Sequence, residues 1–79
     1  MKVEVELFAT LAAYLPVGAS GDRVTLEVPG ATSVADVIGL LGIPTDLECL
    51  TVVNGHDASS AHRLADGDVL SLFPPLAGG

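Results

Sequence analysis

The sequence finishes Phe73-Pro74-Pro75-Leu76-Ala77-Gly78-Gly79, which presents a reactive group that no side chain here supplies: a main-chain carboxylate at the tip of a thin segment. A carboxylate becomes an acyl donor once one of its oxygens is turned into a leaving group. Neither Gly78 nor Gly79 has a Cβ, so the backbone fits through a channel that any other residue would block. Pro74 and Pro75 donate no main-chain hydrogen bond and cannot continue a sheet or a helix, which makes the exit stiff. Fully extended, Pro74 to Gly79 reaches about 20 Å, far enough to carry the carboxylate into a neighbouring protein. Phe73 and Leu76 are the apolar residues available to anchor it there.

Side-chain chemistry is thinner. His56 and His62 lie near Asp57, but two histidines and one carboxylate without helical spacing are more often solvated loop residues, and no metal is expected. Cys49 sits between Glu48 and an apolar run, where negative charge and burial both disfavour a thiolate. It reads as structural filler. Ser59-Ser60 has no base or orienting acid nearby in sequence. The chain is not expected to be an enzyme on its own.

The elements that must position the tail belong to one small domain, residues 1–79, with 74–79 as a flexible tail. A chain of 79 residues buries only about 60% of its unfolded surface, so its stability should be modest. With 49% hydrophobic residues it is too apolar to be disordered, yet no apolar stretch approaches the roughly 20 residues of a membrane span. Glu4 and Glu6 interrupt any signal-peptide pattern, and a single Cys49 forms no intrachain disulfide, so a cytoplasmic location is expected. A formal charge of −7 repels phosphate backbones and anionic lipids, which argues against nucleic acid and membrane partners.

Val3, Val5 and Leu7 alternate with Lys2, Glu4 and Glu6, the period-two pattern of a half-buried strand. Thr10 is a candidate cap for a short helix through Leu15, ended by Pro16 and Gly18. Val24, Leu26 and Val28 alternate with Arg23, Thr25 and Glu27 in a second strand closed by Pro29-Gly30. Ser33 then reads as an N-cap, with Asp36 in the first turn and Val34, Val37, Ile38 and Leu41 forming one buried stripe. Gly39 inside this helix suggests a close backbone approach, and Gly42 and Pro44 end it. Leu50 to Val53 is a short strand stopped by Asn54-Gly55, Asp66-Gly67 is another turn, and Val69 to Phe73 is the last strand. The order implies an α+β domain with a mixed sheet covered on one face by the Val34–Leu41 helix. The two terminal strands should be central, parallel neighbours, which would anchor the tail on the most stable part of the sheet.

Several of these segments together resemble one family. They are Val3-Glu4-Val5-Glu6-Leu7-Phe8-Ala9, Ala31-Thr32-Ser33-Val34-Ala35-Asp36-Val37, Val52-Val53-Asn54-Gly55, Leu64-Ala65-Asp66-Gly67-Asp68-Val69, and the Phe73–Gly79 ending. In this order they are similar to the ubiquitin-like β-grasp sulfur carriers, which include the small subunit of molybdopterin synthase and the thiazole-synthesis carrier. The double proline of the ending resembles the former more closely. Where relatives often have Arg and Glu in the first helix, this chain has Ala12 and Ala13.

The resemblance implies a β-grasp fold and a mechanism centred on Gly79. A ubiquitin-activating-like adenylyltransferase would use ATP and Mg²⁺ to join AMP to the Gly79 carboxylate, while the carrier itself binds no cofactor. A sulfur donor protein would then displace AMP to leave a thiocarboxylate. Phe73, Pro74, Pro75, Leu76, Ala77 and Gly78 would dock the tail in the large subunit of molybdopterin synthase, which supplies the catalytic residues for sulfur transfer. Other outcomes stay open: sulfur delivery to thiamine thiazole or an amino acid, conjugation of Gly79 to protein lysines, or a non-chemical acidic interaction module indifferent to truncation of the tail.

Overall fold

Alternating burial builds the sheet as the sequence pattern requires. The computed structural model describes residues 1–44, 47 and 49–74. In β1, Lys2–Leu7, Val3, Val5 and Leu7 are at most 1% exposed. β2, Arg23–Glu27, runs antiparallel beside it with Val3 opposite Leu26 and Val5 opposite Val24. β3 is Leu50–Val53, β4 His56–Asp57 and β5 Val69–Phe73. The strand order is β2-β1-β5-β3-β4. β1 and β5 are parallel, with Glu4 beside Val69 and Leu7 beside Leu72, while β3 is antiparallel to both β4 and β5. The terminal strands are thus central neighbours, as their strong alternation suggested. This is the ubiquitin-like β-grasp arrangement.

Among the described residues the single α-helix, α1, spans Val34–Leu40. Ser33 Oγ accepts from the Asp36 N–H at 3.1 Å and Asp36 Oδ2 accepts from the Ser33 N–H at 3.0 Å. This reciprocal pair is a capping box that satisfies two of the helix's free donors. Val34 and Val37 are fully buried, and Ile38 and Leu41 pack against the same core from partly exposed positions. At the other end Gly42, with φ of +78°, donates to Gly39 O at 3.1 Å, and Ile43 donates to Ile38 O at 3.3 Å. The left-handed residue and the two bonds form a Schellman ending, and Ile43 turns back into the core.

Three expectations need correction. The first helix is a 3-10 helix over Ala9–Tyr14, and Thr10 lies inside it. Phe8 precedes it with no side-chain cap. Ala9 turns the chain at φ +53°, which delivers Leu11 into the core within one short turn. Gly39 has no close neighbour, since a Cβ there would meet nothing within 4 Å. His56 and Asp57, expected in a loop, form β4, a strand too short to show any periodicity.

The turns lock β5 in place. Asn54 and Gly55 adopt φ values of +52° and +83°, the geometry of a type I′ hairpin turn. The Asn54 side chain accepts from Val69 N–H and donates to Asp68 Oδ1, both at 2.9 Å. Asp68 Oδ2 accepts from Ala65 N–H at 2.7 Å, and Asp66 Oδ1 accepts from Lys2 N–H at 2.8 Å. Among the described residues, no helix is long and apolar enough to cross a membrane.

Candidate functional site

The strand that leads to the tail is flanked on both sides. β5 lies between β1 and β3, and Leu70 and Leu72 are fully buried. Phe73, the next alternate position, faces the side of the sheet that α1 does not cover. Phe8 continues the extended path of β1, with φ −105° and ψ 152°, and reaches the same side. Its N–H donates to Leu72 O at 3.1 Å. The two phenyl rings stack with centroids 4.6 Å apart and planes 3° from parallel. Leu50 pairs with Phe73 in the register and is 54% exposed, and Val52 follows opposite Ser71. Phe8, Phe73, Leu50 and Val52 therefore make an apolar ledge at the point where Pro74 begins the exit.

Beyond the ledge the open face turns acidic. Arg23 bridges Glu4 at 3.1 Å and Glu6 at 2.6 Å, and Ser71 Oγ donates to Glu6 at 3.0 Å. The hydrogen bond from Arg23, then that from Ser71, holds the Glu6 carboxyl below its usual range. This surface presents an apolar end and a carboxylate end within one sheet.

Of the predicted site residues, the structure places Phe73 and Pro74 at this exit. Pro75, Leu76, Ala77, Gly78 and Gly79 lie outside the described residues. Phe8 and Leu50 were missed as partners of Phe73. The alternation of β1 puts Phe8 on the polar side, but only the parallel register with β5 shows that it meets Phe73.

The other chemical candidates separate. His56, Asp57 and His62 line one hollow with Asn54, Arg63 and Asp68. Among the described residues, however, no group of three or more His, Cys, Asp or Glu side chains is arranged to hold a metal. Asp68 there is held below the usual carboxylate range by the Ala65 N–H and then by Asn54. Cys49 lines a different hollow, between α1 and β3, with Ile38, Leu47, Thr51, Ser59 and Ser60. Its thiol is half-buried and donates to Leu47 O at 3.7 Å, and burial pushes its pKa up. No histidine lines that hollow beside Cys49.

The ThiS family profile matches residues 5–79. A comparison with curated proteins finds no match. Among solved structures the chain is similar to SAMP1, the small archaeal modifier protein 1 of Haloferax volcanii, at 31% identity over all of both chains with a TM-score of 0.74. It is also similar to a putative molybdopterin converting factor subunit 1 from Pyrococcus furiosus, at 28% identity over 95% of this chain and 98% of that one, with a TM-score of 0.72. A third similarity is to a complex of subunits 1 and 2 of the molybdopterin-converting factor from Helicobacter pylori, at 25% identity over all of both chains with a TM-score of 0.60. With its sheet, its single covering helix and its profile match through Gly79, the chain belongs to the ThiS family of ubiquitin-like β-grasp sulfur carriers.

Proposed function

We propose that the chain carries sulfur as a thiocarboxylate on Gly79 and delivers it to a pterin precursor during assembly of the molybdenum or tungsten cofactor. The observation that carries this reading is the position of β5: a buried central strand ends at an apolar ledge and leads directly into Pro74. Docking through Phe8, Phe73 and Leu50 gives a partner a rigid surface from which to take the tail. Ordering the last four residues in a partner's channel costs about 4 to 8 kcal/mol of backbone entropy, which that surface and main-chain hydrogen bonds must offset.

In the first step a Gly79 carboxylate oxygen attacks the α-phosphorus of ATP on an activating enzyme, with release of pyrophosphate. A persulfide sulfur on a donor protein then attacks the acyl carbon, AMP leaves with the bonding electrons, and a second thiol of the donor cleaves the resulting acyl disulfide, forming a disulfide on the donor and leaving the Gly79 thiocarboxylate. The thiocarboxylate sulfur is the nucleophile in the final transfer, on a larger synthase subunit that supplies the catalytic groups. Similarity to a molybdopterin-converting factor structure containing both subunits supports that kind of partner.

A second reading, conjugation of Gly79 to protein lysines, is favoured by similarity to a protein named as a modifier. Fragment mass spectrometry of protein isolated from its host, with and without thiol alkylation, separates the two. Sulfur replacing oxygen on a C-terminal fragment, alkylated there, is the expected result. An isopeptide-linked fragment would support the modifier, and an unmodified carboxylate despite activating enzyme and ATP would refute both. Deletion of Gly79 or Gly78→Ala should abolish activation while leaving thermal unfolding unchanged.

A further inference from the structure

β2 is the outer strand of the sheet beside β1, and the unpaired edge it presents has a definite pattern. The Met1 ammonium donates to Val28 O at 2.7 Å and Val28 N–H donates back to Met1 O at 2.8 Å. Leu7 N–H donates to Asp22 O at 2.9 Å. Bonded and non-bonded pairs alternate along an antiparallel ladder. Val24 and Leu26 therefore bond to β1, while Arg23, Thr25 and Glu27 turn their main-chain groups outward. Arg23 is already satisfied: Ser20 N–H donates to its carbonyl at 2.9 Å and its own N–H donates to Ser20 O at 3.1 Å. That turn blocks the edge at its start, and Pro29, which has no N–H, closes it at the other end. Between these stops the outward N–H and C=O groups of Thr25 and Glu27 have no main-chain partner among the described residues.

An apolar hollow of about 350 Å³ runs along the same edge on the α1 side, lined by Tyr14, Pro16, Leu26, Val28, Leu40 and Leu41. Leu40 is 66% exposed. On the open side of the sheet, the edge begins with a cation at Arg23 and ends with an anion at Glu27. A strand with opposite charges at its two ends is complementary to itself when it pairs antiparallel.

We propose that β2 is the interface of a twofold dimer of this chain, in which it pairs antiparallel with β2 of a second copy and Leu26 faces Leu26 at the axis. In this register Thr25 of each copy meets Glu27 of the other, and their mutual bonds use every outward main-chain group between the two stops. Pairing centred on Thr25 would instead set Glu27 against Arg23, whose main-chain groups Ser20 already holds. Centred on Leu26, the ladder ends with Pro29 opposite Arg23, where neither strand has a free donor. Glu27 then lies one diagonal step from Arg23 of the other copy, within reach of long side chains. On the α1 side the two hollows join across the Leu26 pair, and both Leu40 side chains leave water. β1 separates β5 from this interface, so both tail exits stay open and point to opposite ends of one continuous sheet.

A short interface gives a weak dimer, and the charge of −7 on each copy opposes it at low salt. Sedimentation equilibrium of the full chain from about 10 µM to about 1 mM should show the mass rising toward two copies, and more so at high salt. Leu40→Gln should weaken association roughly tenfold and leave thermal unfolding unchanged. Thr25→Pro should weaken it at least as much, because the N–H it removes faces away from β1 and the ladder within the copy survives. Thr25 and Glu27 are both exposed, so cysteines there read the register in a Cys49→Ser background. A mixture of Thr25→Cys and Glu27→Cys should form a disulfide under air faster than either variant alone, because opposed Cα atoms lie about 5.5 Å apart and the self-pairs lie beyond about 7 Å. The proposal is overturned by a monomer at the highest concentration and salt, by association that survives Leu40→Gln, or by cysteine variants that link no faster mixed than alone. None of these readouts depends on activation of Gly79, so they stand or fall apart from the carrier reading.

Discussion

On the side of the sheet that α1 covers, Val3, Val5, Leu7, Leu70 and Leu72 are at most 1% exposed. The intervening residues of the same two strands, Glu4, Glu6, Val69 and Ser71, together with Phe73 and the adjoining Phe8, all keep some solvent contact. Stacked phenyl rings beside Leu50 on the open face form an apolar patch of the kind that marks a contact surface. Here they gather at one end, where β5 hands the chain to Pro74, while Glu4, Glu6 and Arg23 occupy the neighbouring strands. The covered face specifies the fold, and the open face gathers its aromatic rings where the tail begins.

The sharpest way to break this contrast is to cut into each face at neighbouring residues. Leu72→Ala should destabilise by about 2–5 kcal/mol, because a fully buried leucine leaves a cavity that the sheet cannot collapse. Urea unfolding measures it, and a cost comparable to that of Phe73→Ala would erase the distinction. For Phe8 and Phe73, a double-mutant cycle to alanine should show a coupling of about 0.5–1.5 kcal/mol from the stack. The same variants should lose partner binding out of proportion to that stability change.

Gly39→Ala should raise stability by roughly 0.5–1 kcal/mol, since the new Cβ meets open space. A loss of stability by thermal unfolding would mean that the outer side of α1 is not free. The smallest effects belong to the charges. Glu6, Asp36 and Asp68 are held below their ordinary carboxyl values, by hydrogen bonds from Arg23, the Ser33 backbone and the Ala65 backbone respectively. Each lowered group favours the folded state above its ordinary value, 4.5 for Glu6 and 3.8 for the two aspartates. That contribution disappears as pH falls through the lower native values. Unfolding midpoints should therefore decline below about pH 4.5. Glu6→Gln should flatten part of that decline, and no flattening would place the acid sensitivity elsewhere.

Much of the covered face was legible because period-two and helical patterns report directly on burial. Ser33 signalled the N-cap and Asn54-Gly55 the hairpin turn, while the reciprocal bond from Asp36 appeared only in the structure. The failures have different causes. Thr10 resembles a cap, but what the chain needs after β1 is a tight turn that buries Leu11. Gly39 suggested crowding, yet the helix points it to solvent. β4 has two residues and no period to detect. At the candidate site, the sequence singled out Phe73 and the tail beyond it, of which Pro75–Gly79 lie outside the described residues, while Phe8 and Leu50 appeared only once the register placed them beside Phe73.

The position of β5 also has a consequence for synthesis. Among the described residues it is the strand made after all the others, yet it joins β1–β2 to β3–β4. Until Val69–Phe73 emerges, the earlier pieces have no common edge and the buried faces of Leu70 and Leu72 are missing. A nascent chain cut short before β5 would yield two unjoined fragments and would be exposed to proteases. A folded copy is therefore one whose translation has already passed the strand that leads into the tail.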